Sequence, residues 1–297
     1  MVATESNINP KKGIIITIIA FLCFSTMSAL IKVCSNAGLE THEIMFFQNL
    51  VALIIVIPWV FSGKKDSLKP KNTVLIIGRA LVGLLSMYFY FFSIKLIPLV
   101  NATLLQNTTP IFIPVIAFFV FRKKITLPMM FVMIAGFIGV ALVINPTKGF
   151  LDPGDFIALF SGFLSGLSTV VIKILNDKGE TVKVVLFYYL IITTIVMGVW
   201  SLPHWTTPHG IIWLWLALCG IFYAGFQLLL ILAVKYASTT TISPFIYLAV
   251  VFSGVLDWLI WHQVPHMLTL IGALIIIVSA ISSTIHHTKH NIPVHHK

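Results

Sequence analysis

Ten apolar runs, each about as long as a bilayer crossing, follow one another along this chain with only short polar loops between them. A bilayer core is roughly 30 Å thick, and a helix needs about 20 apolar residues to cross it, because hydrocarbon offers no partner to an unpaired backbone N–H or C=O. Runs meeting this criterion at 13–32, 43–61, 73–94, 98–121, 125–144, 155–175, 181–202, 210–233, 238–261 and 266–285 leave almost nothing for a soluble domain. Composition agrees, with 58% hydrophobic residues, 9% charged residues and a mean hydropathy of +1.02. The expected fold class is an all-α integral membrane protein of ten transmembrane helices.

Basic residues fall on one face of this arrangement. Sixteen of the 19 Lys and Arg residues, from Lys11 and Lys12 through Lys69, Lys71, Arg79, Arg122, Lys173, Lys183 and Lys235 to the tail, lie on one face, whereas Lys32, Lys95 and Lys148 lie on the other. Lys and Arg are retained in the cytoplasm, so both termini are expected there, in a bacterial inner membrane. The net charge of +10 serves topology and contact with anionic headgroups, with no call for nucleic acid. The run from Gly13 continues for a full crossing without a cleavage site and is read as a retained helix, not a signal peptide. Cys23, Cys34 and Cys219 are scattered singly, which suggests neither a disulfide framework nor a metal site.

The second half of the chain echoes the first. A shift of 141 carries Lys32 onto Lys173, Phe46 onto Phe187, Phe47 onto Tyr188 and Trp59 onto Trp200, and a shift of 140 carries Lys95 onto Lys235. Each half holds five spans, an odd number, so the second must enter the membrane upside down. Such inverted repeats are typical of secondary transporters with a midplane site. The expected organisation is a cytoplasmic tail at 1–12, a first repeat at 13–144, a linker at 145–154, a second repeat at 155–285 and a cytoplasmic His-rich tail at 286–297.

The stretch from Arg79-Ala-Leu-Val-Gly through Met87-Tyr88-Phe89-Tyr90-Phe91 and Ile94-Lys95-Leu96-Ile97-Pro98 to Asn101-Ala102-Thr103 and Thr109-Pro110-Ile111-Phe112 resembles EamA-type members of the drug/metabolite transporter superfamily. Val234-Lys235-Tyr236-Ala237-Ser238, Ile242-Ser243-Pro244-Phe245-Ile246-Tyr247 and Gly254-Val255-Leu256-Asp257-Trp258 carry the likeness in the second copy. The resemblance implies a central cavity lined by the first, third, fourth, sixth, eighth and ninth spans, with the fifth and tenth at the periphery. Many relatives have Arg where this chain has Gln48, and Gly-Glu where it has Arg122-Lys123 and Trp261-His262. Because such relatives move amino acids, vitamins, nucleoside-like cofactors or drugs, the substrate does not carry over.

Polar residues inside the spans are the candidate site. Gln106, Asn107, Thr108 and Thr109 precede Pro110 within the fourth span, and Pro114 follows. Proline has no N–H, so Pro110 leaves the Gln106 carbonyl without its helical partner, and freed carbonyls at membrane depth face protein or a water-filled cavity. The amides can bind a solute or act as glue between helices. Ser243, Tyr247, Ser253 and Asp257 form a stripe on the ninth span. Asp257 is a candidate proton-coupling group; structural pairing is the alternative. Tyr88, Tyr90, Tyr223 with Gln227, and Tyr247 place polar groups where they can border a cavity. Ser161, Ser165, Ser168, Gly162 and Gly166 on the sixth span read as a packing face. Lys32, Lys173 and Arg79 are expected to snorkel to the membrane surfaces; for Arg79 the other reading is a substrate carboxylate reached from the cytoplasmic mouth.

These features point to a secondary transporter of a small organic metabolite, amino-acid-like, vitamin-like or nucleoside-like, working by alternating access with a proton as candidate coupling ion. No cofactor is expected. The alternatives are an intramembrane enzyme, for which the spans hold no catalytic constellation, and a metal-ion transporter, for which Asp257 stands alone at depth. The tail histidines His286, His287, His290, His295 and His296 read as solvated residues.

Overall fold

The computed structural model describes residues 9–62, 68–122, 127–144, 152–236 and 243–290. The first repeat contains α1 (Pro10–Asn36), α2 (Thr41–Phe61), α3 (Thr73–Leu96), α4 (Leu99–Gln106), α5 (Thr109–Phe121) and α6 (Leu127–Ile144). The second contains α7 (Pro153–Asp177), α8 (Val182–Ser201), α9 (Ile212–Tyr236), a 3₁₀ turn (Ser243–Tyr247) leading into α10 (Leu248–Trp261), and α11 (Met267–His290). The fourth span is thus α4 plus α5, and the ninth is the 3₁₀ turn plus α10. Among the described residues, seven helices are long and apolar enough to cross a membrane, and three shorter apolar helices complete the ten.

Helices begin where a short polar side chain precedes an apolar run. Asn9 and Asn72 accept from the amides of Lys12 and Leu75, both at 3.1 Å, and Asp152 accepts from Gly154 at 2.8 Å. Each bond satisfies one of the orphan N–H groups of a first turn.

The inverted repeat is written into the backbone. Gly38 and Gly179 adopt left-handed φ of 94° and 78° 141 residues apart, and Arg122 and His262, with φ of 52° and 54°, end α5 and α10 140 residues apart. The interruption recurs too: Asn107 and Thr108 separate α4 from α5, and Tyr247 and Leu248 mark the change from 3₁₀ to α-helix 140 residues later. Pro244, with no N–H to give, lies within that second irregular stretch.

The two repeats interleave. α1 packs most closely on α9 and α3 on α7, contacts that the pseudo-two-fold exchanges; α2 on α8 and α6 on α11 are contacts it maps onto themselves, and α4 packs on α10 between the repeats. One bundle comprises α1, α2, α9 and α10, and its pseudo-equivalent comprises α3, α4 with α5, α7 and α8. A seam runs between the bundles. α6 and α11 pack against each other at the edge, where a Cβ on Gly272 would stand 2.6 Å from the Gly139 carbonyl oxygen, so only glycine permits the approach. Exposed apolar side chains such as Ile54, Phe119, Phe131, Ile195 and Leu274 present the perimeter to lipid.

Candidate functional site

Buried ionic and hydroxyl groups join the bundles at one end of the seam, and a cleft opens between them at the other. At the end away from the basic loops, Asp257 is fully buried; Oδ1 accepts from Lys32 Nζ at 2.9 Å and Oδ2 from the Val100 amide at 2.8 Å. Val100 lies in the first turn of α4, in the facing bundle. The Lys32 ammonium also lies 4.4 Å from the Trp261 ring centroid. Lys32 therefore does not snorkel: its side chain is 8% exposed and spends its charge on a buried carboxylate. Breaking such a pair would leave one charge uncompensated at about 3–5 kcal/mol.

Deeper along the seam a hydroxyl chain joins the bundles. The Tyr90 hydroxyl bonds Ser28 Oγ at 2.9 Å and Thr103 Oγ1 at 3.0 Å, and Thr103 Oγ1 donates to Ser253 Oγ at 3.0 Å. Tyr90 stacks on Phe24, ring centroids 5.8 Å apart. Nearby, Ser25 Oγ donates to the Ala249 carbonyl at 2.9 Å.

The polar turn of the fourth span bonds largely to itself. Asn107 Nδ2 donates to the Thr103 carbonyl at 2.8 Å, Thr108 Oγ1 to Leu105 at 2.6 Å, and Thr109 Oγ1 lies 3.0 Å from the Gln106 carbonyl and 3.1 Å from that of Gly162. The carbonyl that Pro110 leaves free thus finds a side-chain donor. A Cβ on Gly162 would fall 2.7 Å from the Leu105 carbonyl, so the small face of α7 closes directly on the break. The Gln106 side chain is buried beside it.

At the basic end a cleft of about 130 Å³ opens between α3, α7, α8 and α9. Arg79, Asn176 and Gln227 supply its polar lining, with Ile172, Val185, Leu186 and Ile231 as the apolar wall. Arg79 and Gly83 are one turn apart on α3. Gly83 leaves space for Tyr189, whose Cε2 lies 3.2 Å from where a Cβ would stand, and the Arg79 guanidinium lies 4.2 Å from the Tyr189 ring centroid. Arg79 Nε and Nη1 are buried with no hydrogen-bond acceptor. The expectation that Arg79 snorkels therefore fails: its head is held under an aromatic ring. Gln227 Nε2 donates to the Tyr223 hydroxyl at 3.0 Å, and that hydroxyl neighbours Tyr189.

Of the residues singled out from sequence, Gln227 lines the cleft with Tyr223 buried behind it, whereas Tyr90 joins the hydroxyl chain and Gln106, Asn107 and Thr108 remain at the helix break. The cleft itself draws on the third, sixth, seventh and eighth spans. Tyr88 stands apart, stacked on Trp200 with centroids 5.6 Å apart. Tyr247 is buried with its hydroxyl unpaired among the described residues. The side chains of Ser243, His286, His287 and His290, and the residues His295, His296 and Lys148, lie outside the described residues. Cys34 and Cys219, scattered in sequence, are neighbours across α1 and α9. Sequence reasoning missed Tyr189; the signal was the Arg79–Gly83 spacing, a charge beside a gap on one helix face.

The EamA-like transporter family matches the chain at residues 11–145 and 152–285. The chain belongs to that family. Among its relatives, the pseudopaline exporter CntI of Pseudomonas aeruginosa is 25% identical over 274 residues, covering 92% of this chain and 95% of the exporter. The S-adenosylmethionine uptake transporter of Rickettsia felis is 27% identical over 242 residues, covering 80% of this chain and 81% of its own length. A solved crystal structure, 18% identical, superposes with a TM-score of 0.64 over 95% of this chain and 99% of its own, and shares the fold. This EamA protein is a multi-pass membrane transporter of small molecules, not an enzyme.

Proposed function

We propose that this protein carries a small organic metabolite, amino-acid-like, vitamin-like or nucleoside-like, across a bacterial inner membrane by alternating access, with both termini and the basic face in the cytoplasm. The observation that carries the reading is the seam: joined between bundles by buried polar groups at one end and holding a cleft at the other. Interleaved repeats make the two four-helix bundles the moving bodies, and rocking one on the other breaks the bonds at the closed end while sealing the cleft. Tyr223 and Gln227 meet the solute in the cytoplasm-open state. Gln106, Asn107, Thr108, Tyr88, Tyr90, Ser243 and Tyr247 meet it deeper in the path, as the bundles separate elsewhere.

Asp257 is the proposed coupling group. Opening the closed end pulls the Val100 amide away from its carboxylate, and a proton offsets the cost of a less well-bonded carboxylate at depth. Asp257→Asn keeps the shape and an acceptor for Lys32 but removes the titration. In proteoliposomes, with a ligand found by thermal-shift screening of metabolites, this variant is expected to exchange substrate by counterflow yet fail to accumulate it in a pH gradient. Undiminished pH-driven accumulation would remove Asp257 from coupling; no transport of any stabilising ligand by the wild type would remove the reading itself.

A further inference from the structure

We infer that Arg79 is the anchor for a carboxylate on the transported solute, gripped in the cleft between α3, α8 and α9. The inference rests on the transport reading for the solute's passage, but the binding site stands on its own geometry. A guanidinium carries five N–H donors in a flat fork. Here Nε and Nη1 are buried without acceptors, the Tyr189 ring covers one face, and the group borders a cavity instead of bulk water. Among the described residues no acid forms an ion pair with it. Glu180, on the loop joining α7 to α8, is engaged instead by the backbone amides of Lys71 and Asn72. A guanidinium that borders a cleft while its buried donors lack acceptors is an incomplete pair.

The missing partner has a definable chemistry. Near the rim, Lys71 Nζ donates to the Gly179 carbonyl and Lys183 Nζ to that of Ser62, both at 2.8 Å, so neither ammonium is among the groups lining the cleft. Arg79 is the one cation in the cleft's described lining, and a single positive charge there matches a single negative charge, which favours a carboxylate over a phosphate near −2. The flat fork suits the two oxygens of a carboxylate, and the Tyr189 face keeps it in plane. Ile172, Leu186 and Ile231 then face the carbon skeleton, and the amide of Gln227, steadied from behind by the Tyr223 hydroxyl, is positioned for a neighbouring polar group. About 130 Å³ admits the acid end and a few attached atoms, with the remainder of a larger solute reaching toward the basic face.

Isothermal titration of the purified full-length protein with benzoate, hexanoate, benzamide and inorganic phosphate tests this directly. The two carboxylates are expected to bind saturably, and benzamide and phosphate at least about tenfold more weakly, the scale of a lost charge-assisted bond. Arg79→Lys should weaken benzoate about tenfold by keeping charge and losing the fork, and Arg79→Gln should abolish binding. Ile231→Trp, which leaves the arginine in place, should abolish it by filling the cleft. Equal binding of benzamide, tighter binding of phosphate, retention in Arg79→Gln or Ile231→Trp, or no binding of either carboxylate would each overturn the inference. These results need no transport: solute flux with no carboxylate binding would sink only the anchor, and carboxylate binding with no flux only the transport reading.

Discussion

At the closed end of the seam, Lys32 and Asp257 neutralise each other beside the Trp261 ring, whereas at the pseudo-equivalent position of the other repeat the lysine survives as Lys173 and the acid is replaced by Ala117. Lys173 accordingly turns outward, its side chain 53% exposed and paired with Asp177, one turn along its own helix, at 3.4 Å. The hydroxyl chain follows the same rule: Tyr90 and Ser253 correspond to Leu230 and Ile113, which cannot bond across the seam. In exchange, the open end carries Arg79, Tyr189, Tyr223 and Gln227, where the closed half has Cys219, Gln48, Gly83 and Met87. One backbone, used twice in opposite orientations, thus holds a latch at one end and a receptor at the other. An inverted repeat guarantees that both open states are geometrically accessible; unlike side chains decide which is more stable and where a solute binds first.

The sharpest way to break this comparison is to remove the latch. Asp257→Ala should cost about 3–5 kcal/mol in thermal or denaturant unfolding, because Lys32 and the Val100 amide lose their partner in the interior. Adding Lys32→Met should recover most of the loss by deleting the stranded charge. A single variant within about 1 kcal/mol of wild type would mean that the pair is not closed in the membrane.

Two glycines at pseudo-equivalent helix pairs, α2 with α9 and α3 with α8, give a smaller and graded effect. A Cβ on Gly220 would press on Val51 and stand 3.0 Å from the Gln48 carbonyl oxygen, a backbone atom that cannot yield. Gly220→Ala should therefore destabilise by about 1–3 kcal/mol. Gly83→Ala meets the edge of the Tyr189 ring at 3.2 Å, with Ser168 Oγ and Arg79 Nη1 at ordinary contact distance, and gains about 1 kcal/mol of helix propensity, so it should fall within about 1 kcal/mol of wild type. The reverse order of stabilities would show that the cleft side is the more tightly packed of the two.

The smallest effect is expected where the latch has its exposed counterpart. Lys173→Ala should change stability by no more than about 0.5 kcal/mol, since a solvated i,i+4 pair contributes little. A loss approaching that of Asp257→Ala would erase the distinction between the two ends.

Much of this was legible along the chain. The Pro110 break was visible because proline acts on its own helix, and the fold class because span length and apolar content are local quantities. The fate of Lys32 was not legible: it lies 225 residues from Asp257, and two ends of a pair that distant meet only through the packing of α1 on α10. Arg79 and Tyr189 belong to different repeats and come together only because α3 packs on α8. Nor was the seating of the break legible: Asn107 donates to the Thr103 carbonyl of its own helix, and the bond from the break to α7 comes from Thr109, whose partner Gly162 lies in the other repeat.

The sequence by itself therefore determined the membrane class, the ten crossings and their inverted duplication, since hydrocarbon demands a fixed length of internally bonded backbone from each span and an odd count per repeat forces the inversion. Only the tertiary structure decided which lysine is buried, which end of the seam is bonded and which arginine is left without an acid. Those outcomes depend on what each charge finds in neighbouring helices, and a charge leaves water only where a partner from another part of the chain receives it.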